Sequence, residues 1–316
     1  MDKSITDVKE NIASLLQIAR DNLKNGDFEK AKIEIEKAFS IDFNEPLVIN
    51  GLKFVNFWIE RKTRFQSVEG HYERGSYLFR QWRAFITFSG KFDAADDELT
   101  IYAIKYWVFN QALHHYNQLL ESGADDPEIL AKIGLCYKNL GDYCRALEYL
   151  ETVMQTKNED AELMAEVADC YAFINEVKAS KIFFREAFFI DPQSIDIYSL
   201  ESLLIKKLIG RVKSLGFNDK LLNEWIPIYG VLYGVFNVKR ELKVLELGKL
   251  KQSINALEHQ FEEDTENRGI IMPRLLNRYF WLIDYYISTK ESKDRIEDIL
   301  KKINKINPSV YELYSN

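Results

Sequence analysis

Three cysteines and four histidines are the residues of this 316-residue chain best suited to redox, nucleophilic or metal chemistry. Cys136, Cys144 and Cys170 form no C-x-x-C pair, and their number is odd, which points to reduced thiols rather than a disulfide framework. Cys136 and Cys170 lie 34 residues apart, at the same site of two successive sequence repeats, and read as packing residues. Among the histidines, His71, His114, His115 and His259, only His114 and His115 are neighbours. On a helix they diverge by about 100° and do not easily share a metal. No Cys, Asp or Glu completes a recognisable ligand set around any of them. Acidic runs (Asp96-Asp97, Asp125-Asp126, Glu262-Glu263-Asp264) fall at expected helix starts or loops, where they complement the helix dipole or are solvated. No phosphate-cradling glycine loop, H-E-x-x-H or G-x-S-x-G occurs. The reading is therefore no catalytic residue, no cofactor, no metal ligand, and no enzyme.

What remains is architecture, and it is clearest between Asp126 and Pro192. Leu130, Ile133, Gly134 and Tyr137 mark one helix, Gly141-Asp142-Tyr143 a turn, and Ala146, Leu147 and Leu150 a second helix. Adding 34 gives Met164, Val167, Ala168, Tyr171, Asn175, Ser180, Lys181 and Phe184, all but Lys181 of suitable type, with Ala187 and Pro192 closing the unit. The pattern recurs from Ile12 to Asn44: Leu15, Ile18 and Ala19, then Asn25-Gly26-Asp27-Phe28 at the turn, then Ala31, Ile35 and Ala38. Ile41-Asp42-Phe43 stands where Ile190-Asp191-Pro192 stands later. A 34-residue helix–turn–helix period with small residues at helix crossings resembles the tetratricopeptide (TPR) repeat.

That resemblance implies an all-α, right-handed α-solenoid of stacked helical hairpins, here with a non-repeat helical C-terminal extension. Expected boundaries are a TPR-like array over 1–194 and an extension and cap, packed on the array, over 195–316. Array units are placed at about 12–45, 93–126, 127–160 and 161–194, with an irregular overlong hairpin at 46–92. In that hairpin one helix runs toward Val68, and Gly70 and Gly75 bracket a turn. In 93–126 the turn is placed near Trp107-Val108-Phe109. Beyond Pro192, helices are expected at Ser194 to Lys213, at Leu221 to Tyr229 (capped by Asn218, with Pro227 as a kink), at Val238 to Glu263, at Leu275 to Ser288 and at Lys293 to Ile306. The last pair caps the array, with Lys293, Asp294, Glu297, Lys301 and Lys302 on its outer face.

Function follows from the same resemblance. It implies a non-enzymatic protein–protein interaction scaffold or adaptor whose partner lies along the solenoid, in a groove lined by the first helix of each pair. One subgroup of the family holds a C-terminal carboxylate there with a Lys and Asn pattern. At the matching positions this chain has Leu16 and Arg20, Asp97 and Ile101, Ala131 and Leu135, Ala165 and Asp169, so that pattern is not kept. The groove residues left are Arg20, Lys24, Lys105, Lys138, Asn139, Asp169 and Phe173. A second expected partner surface is the aromatic and basic stretch of the irregular hairpin: Trp58, Arg61, Arg64, Tyr72, Arg74, Arg80 and Arg83. It is basic within an acidic protein, which points to an acidic partner surface. The aromatic run Arg278 to Tyr286 reads as core or, with its remainder exposed, as a self-association patch.

Net charge of −7 and a pI near 5.4 argue against nucleic acid as the main ligand. An RNA-associated helical-repeat protein is accordingly the third reading. A second is a structural subunit of a large bacterial assembly, for which Ile, Lys, Asn and Phe enrichment suggests an AT-rich genome; the layout looks similar to the repeat proteins of the spirochaete flagellar-motor collar. No apolar signal core opens the chain and no charge-free window of about 18 residues occurs, so a cytoplasmic location without a membrane span is expected, or a periplasmic one if the collar reading holds.

Overall fold

In the computed structural model the described residues are 2–92, 97–123, 126–157, 159–238 and 241–315, with side chains described from Asp7 onward. Among them the regular structure is all helical, and no strand occurs. The chain forms two compact units, Met1–Tyr149 and Leu150–Asn316, each with its own apolar core.

The first unit begins with the hairpin α1 (Asp2–Lys24) and α2 (Phe28–Ile41). Its turn rests on Gly26, whose φ of +78° is costly for a residue with a Cβ. A Cβ there would also stand 2.3 Å from Trp107 Nε1. The N–H of Asp27 reaches back to the Asn22 carbonyl at 2.8 Å, the six-to-one closure of a Schellman-type helix end. The same closure recurs at α6 (Pro127–Leu140), where Gly141 has φ +88° and Asp142 N–H donates to Tyr137 O at 2.9 Å. It recurs again in the second unit after α8 (Ala161–Phe173), with Asn175 at φ +65° and Glu176 N–H on Tyr171 O at 2.9 Å. Side chains repeat with the backbone. Tyr137 stacks on Tyr149 of α7 (Tyr143–Thr156) at 5.7 Å, and 34 residues on Tyr171 stacks on Phe183 of α9 (Val177–Ile190) at 5.6 Å. Asp42 and Asp191, at matching sites, each accept the N–H two residues on. Cys136 and Cys170 are both buried and unlinked.

The stretch between departs from the pattern. α3 (Pro46–Gln66) and α4 (His71–Ser89) face each other through large rings, with Phe54, Phe57 and Trp58 on Phe85 at 5.3 to 5.7 Å. Their backbones come close over only a short length, whereas α4 packs tightly on the next helix, α5. Gly75 is not in a turn: it lies within α4, where a Cβ would stand 2.5 Å from Tyr116. The turn expected near Trp107-Val108-Phe109 does not form either. α5 (Glu98–Glu121) runs unbroken through it, because Trp107, Val108, Phe109, Ala112 and Tyr116 are all core residues and no glycine or proline interrupts them. It packs against α1, α4 and α6.

In the second unit the α8/α9 hairpin leads to a short 3-10 turn, Pro192–Ser194, and then to irregular chain, so the single helix expected from Ser194 starts only at α10 (Leu203–Ser214). Asp169 explains the delay. It is fully buried and accepts the Glu201 and Ser202 N–H groups at 2.8 and 2.9 Å, which ties this segment to α8. α11 (Asp219–Leu232) continues through Pro227. Asn218 precedes it without capping it, its side chain donating to Gly216 O instead. α12 (Val244–Glu263) and α13 (Arg268–Ser288) follow, then α14 (Lys293–Ile306) and a further helix, α15 (Pro308–Ser315), that the periodicity did not suggest. α13 is central, touching α11, α12 and α14, and buries most of its length. Tyr279, Phe280, Trp281, Leu282, Ile283 and Tyr286 are buried, so the aromatic run is core. No helix of the described residues is long and apolar enough to cross a membrane.

Candidate protein-interaction surface

Helices α1, α5 and α6 adjoin within the first unit, and their outer faces form the surface of interest. α5 is positioned by its buried face, Ala103, Ile104, Trp107 and Val108. That leaves Leu99, Tyr102 and Tyr106 on the opposite side, at i, i+3 and i+7, exposed by 59, 45 and 40%. Lys24 of α1 places its Nζ 5.5 Å from the Tyr102 ring, a cation–π contact across the two helices. The Tyr102 and Tyr106 rings are 6.5 Å apart. Asn110, the next residue on that face, is turned onto the Tyr106 carbonyl at 3.0 Å.

Arg20 anchors this surface at its edge. Its Nε donates to Thr100 Oγ1 at 3.3 Å, and Thr100 is buried. Burial lowers the Arg20 pKa, and the buried Asp97 carboxylate at the head of α5 acts in the opposite sense. α6 is fixed at its start by Asp126, whose Oδ1 accepts the Glu128 N–H at 2.7 Å, and by Pro127 in its first turn. It presents Ala131, Leu135 and Asn139, all half-buried; the Asn139 amide donates to Leu135 O at 2.8 Å.

Of the seven groove residues, then, Arg20 and Lys24 belong to one surface with α5. Lys105 is half-buried on α5 and Asn139 half-buried on α6. Lys138 is only 4% exposed, inside the packing rather than on a groove. Asp169 and Phe173 lie in the second unit, where Asp169 is spent on the Glu201 and Ser202 amides and Phe173 is 37% exposed.

The aromatic–basic stretch divides in the same way. Trp58 is a core residue, 1% exposed, with its ring against Phe28, Phe85 and Trp107, so it presents nothing to a partner. Arg61 lies 3.3 Å over the Phe57 ring, with Nη1 on Phe57 O and Nε on Gln81. Arg74 donates to Val68 O and Tyr72 to Glu128, whose carboxylate raises the tyrosine pKa. These stems cover the core while their polar ends are satisfied locally. Arg64, Arg80 and Arg83 are exposed.

Two further groups stand out by chemistry. His71 and His115 face each other Nδ1 to Nδ1 at 3.0 Å, a contact across 44 residues that no local spacing indicates. Burial, followed by repulsion from His114, His71 and Arg74, lowers the His115 pKa to about 4. No group of three or more metal-ligating side chains converges among the described residues. Asp97 and Asp126 are structural, at the heads of α5 and α6; Asp96 and Asp125, beside them, lie outside the described residues. Leu99, Tyr102 and Tyr106 escaped sequence reasoning although their spacing was visible. The repeat register set the groove positions of this helix at Asp97, Ile101 and Lys105 instead, on other sides of α5.

The tetratricopeptide repeat family model matches residues 12–45 and 127–160, the α1/α2 and α6/α7 hairpins. No curated protein sequence matches the chain.

Proposed function

We propose that this tetratricopeptide-repeat protein is a non-catalytic scaffold that binds a protein partner across α1, α5 and α6 of its first unit. Repeats of this family generally mediate protein–protein interaction, which supports the scaffold role. One observation carries the choice of surface: a stripe of Leu99, Tyr102 and Tyr106 stays exposed on a helix whose other sides are core. Exposed tyrosines over a cation are the usual anchors of a recognition surface, because they bury much area at low entropic cost. Arg20 and Lys24 beside them suit a partner segment that alternates apolar and acidic side chains.

Photo-crosslinking tests this placement. A photoreactive residue is introduced at Tyr102, at Arg80, or at the exposed Lys37 of α2 as a control. Crosslinks to one species from position 102, lost in a Leu99→Ala/Tyr106→Ala background, are the expected result. The same species captured from position 80 and not from 102 would move the interface to the arginine-rich face.

A further inference from the structure

Three arginines of the second unit are partly or wholly buried, and they are not equally provided for. Arg185 is 4% exposed and pairs with Asp284. Arg274 pairs with Glu224, itself 1% exposed. Arg278, one turn further along α13, has no carboxylate within ion-pair distance among the described residues. Its Nε donates to Ser253 Oγ at 2.9 Å, while Nη1 and Nη2 reach only the carbonyls of Arg274 and Phe189, at 3.4 and 3.5 Å. Burial, and then repulsion from Arg274, push its pKa down to about 10, so it stays charged near neutrality. The one carboxylate that acts on it is Glu224, already held by Arg274. Two cations therefore share one anion where water is scarce, an arrangement that favours a further anion.

Ser253 and Phe189, which bracket the Arg278 guanidinium, also line a cavity of about 440 Å³ whose apolar walls include Met164, Leu250 and Trp281. Its volume falls within the range of about 300–1,000 Å³ typical of small-ligand sites. Two of its acidic lining groups are engaged locally. Glu246 accepts the Lys243 N–H that starts α12, and Glu159 faces Lys249 at 4.0 Å. Glu186 lines the cavity as well, but forms no ion pair with Arg278. Apolar walls and a guanidinium without a carboxylate at ion-pair distance among the described residues then define a ligand by its chemistry.

We propose that this cavity binds a ligand that carries a carboxylate on an apolar body, with the carboxylate against Arg278 and the body between Met164, Leu250 and Trp281. A planar guanidinium matches a carboxylate in a two-pronged hydrogen-bonded pair. Such a ligand has two sources, a free alkanoic acid or the apolar C-terminus of a peptide.

Titration calorimetry on the full chain decides it. The probes are decanoate, decyltrimethylammonium, and acetyl-Leu-Leu as its free acid and as its amide. At least one of the two carboxylates is expected to bind with one site per chain, and which one binds identifies the source. The ammonium and amide probes bind at least about tenfold more weakly or not at all. Arg278→Gln lowers the carboxylate affinity by at least about tenfold, and Arg278→Lys retains part of it. Should the glutamine variant lose its helical circular dichroism, Leu242→Trp, at a half-buried wall position, obstructs the cavity with the charge intact and abolishes binding. No binding of either carboxylate, equal binding of decanoate and decyltrimethylammonium, or an affinity unchanged in folded Arg278→Gln overturns the proposal.

Discussion

Trp58 and His115 show how differently a residue's type and its surroundings speak. Indole beside arginine reads as an interface anchor from sequence, yet Trp58 sits in a ring cluster with Phe28, Phe85 and Trp107 and is 1% exposed. Trp58→Ala is expected to destabilise the fold by about 3–5 kcal/mol through lost burial and a residual cavity, measurable by urea unfolding. His115 is held neutral by burial, its pKa lowered from 6.5 to about 4. The unfolded chain thus binds its proton at a higher pH than the folded one. Stability present above pH 6.5 is lost as pH falls from about 6.5 to 4, and levels off below that. Besides His71, His114 and Arg74, the Phe65 ring of α3 packs on this imidazole at 5.7 Å and offers no compensating charge. His115→Phe should flatten the slope of unfolding free energy over that range; an unchanged slope would assign it to other groups.

At the scale of helices, the repeat hairpins were legible because their ends are local. The left-handed residue at each turn and the six-to-one bond across it are set within six residues, so Gly26, Gly141 and Asn175 could be aligned by spacing alone. A graded prediction follows from those three sites. Gly141→Ala costs roughly 1 kcal/mol in thermal or urea unfolding, the penalty of a Cβ at positive φ, whereas Asn175→Ala costs less, because asparagine already carries a Cβ there. Gly26→Ala costs more, since its Cβ also meets Trp107. Equal costs at Gly26 and Gly141 would mean that the Trp107 contact is relieved freely. What spacing could not show is packing between distant segments. α5 was divided in two because a 34-residue ruler demanded a turn at 107–109, whereas tertiary burial of Trp107, Val108 and Phe109 keeps it one helix. Asp169 was placed in a groove because its partners, the Glu201 and Ser202 amides, lie more than thirty residues on. Arg278 and its cavity were invisible for the same reason.

Over the whole molecule, two units with separate cores carry different kinds of surface. The first unit holds an outward stripe of apolar and basic side chains, and the second a cavity lined by Arg278 together with apolar and acidic side chains. The repeat family model matches the α1/α2 and α6/α7 hairpins, and the unbroken α5 between them carries the exposed Leu99, Tyr102 and Tyr106 on which the proposed interface is centred. The proposed interface stands on the α5 stripe. The direct measurement is the dissociation constant of the crosslinked partner for the wild-type chain and for Leu99→Ala/Tyr102→Ala/Tyr106→Ala. Because those side chains are exposed, the triple variant should unfold within about 1–2 kcal/mol of the wild type. Its affinity should fall by at least about 100-fold, as expected for loss of clustered aromatic anchors. An affinity unchanged in a variant of unchanged stability would contradict the assignment of this surface.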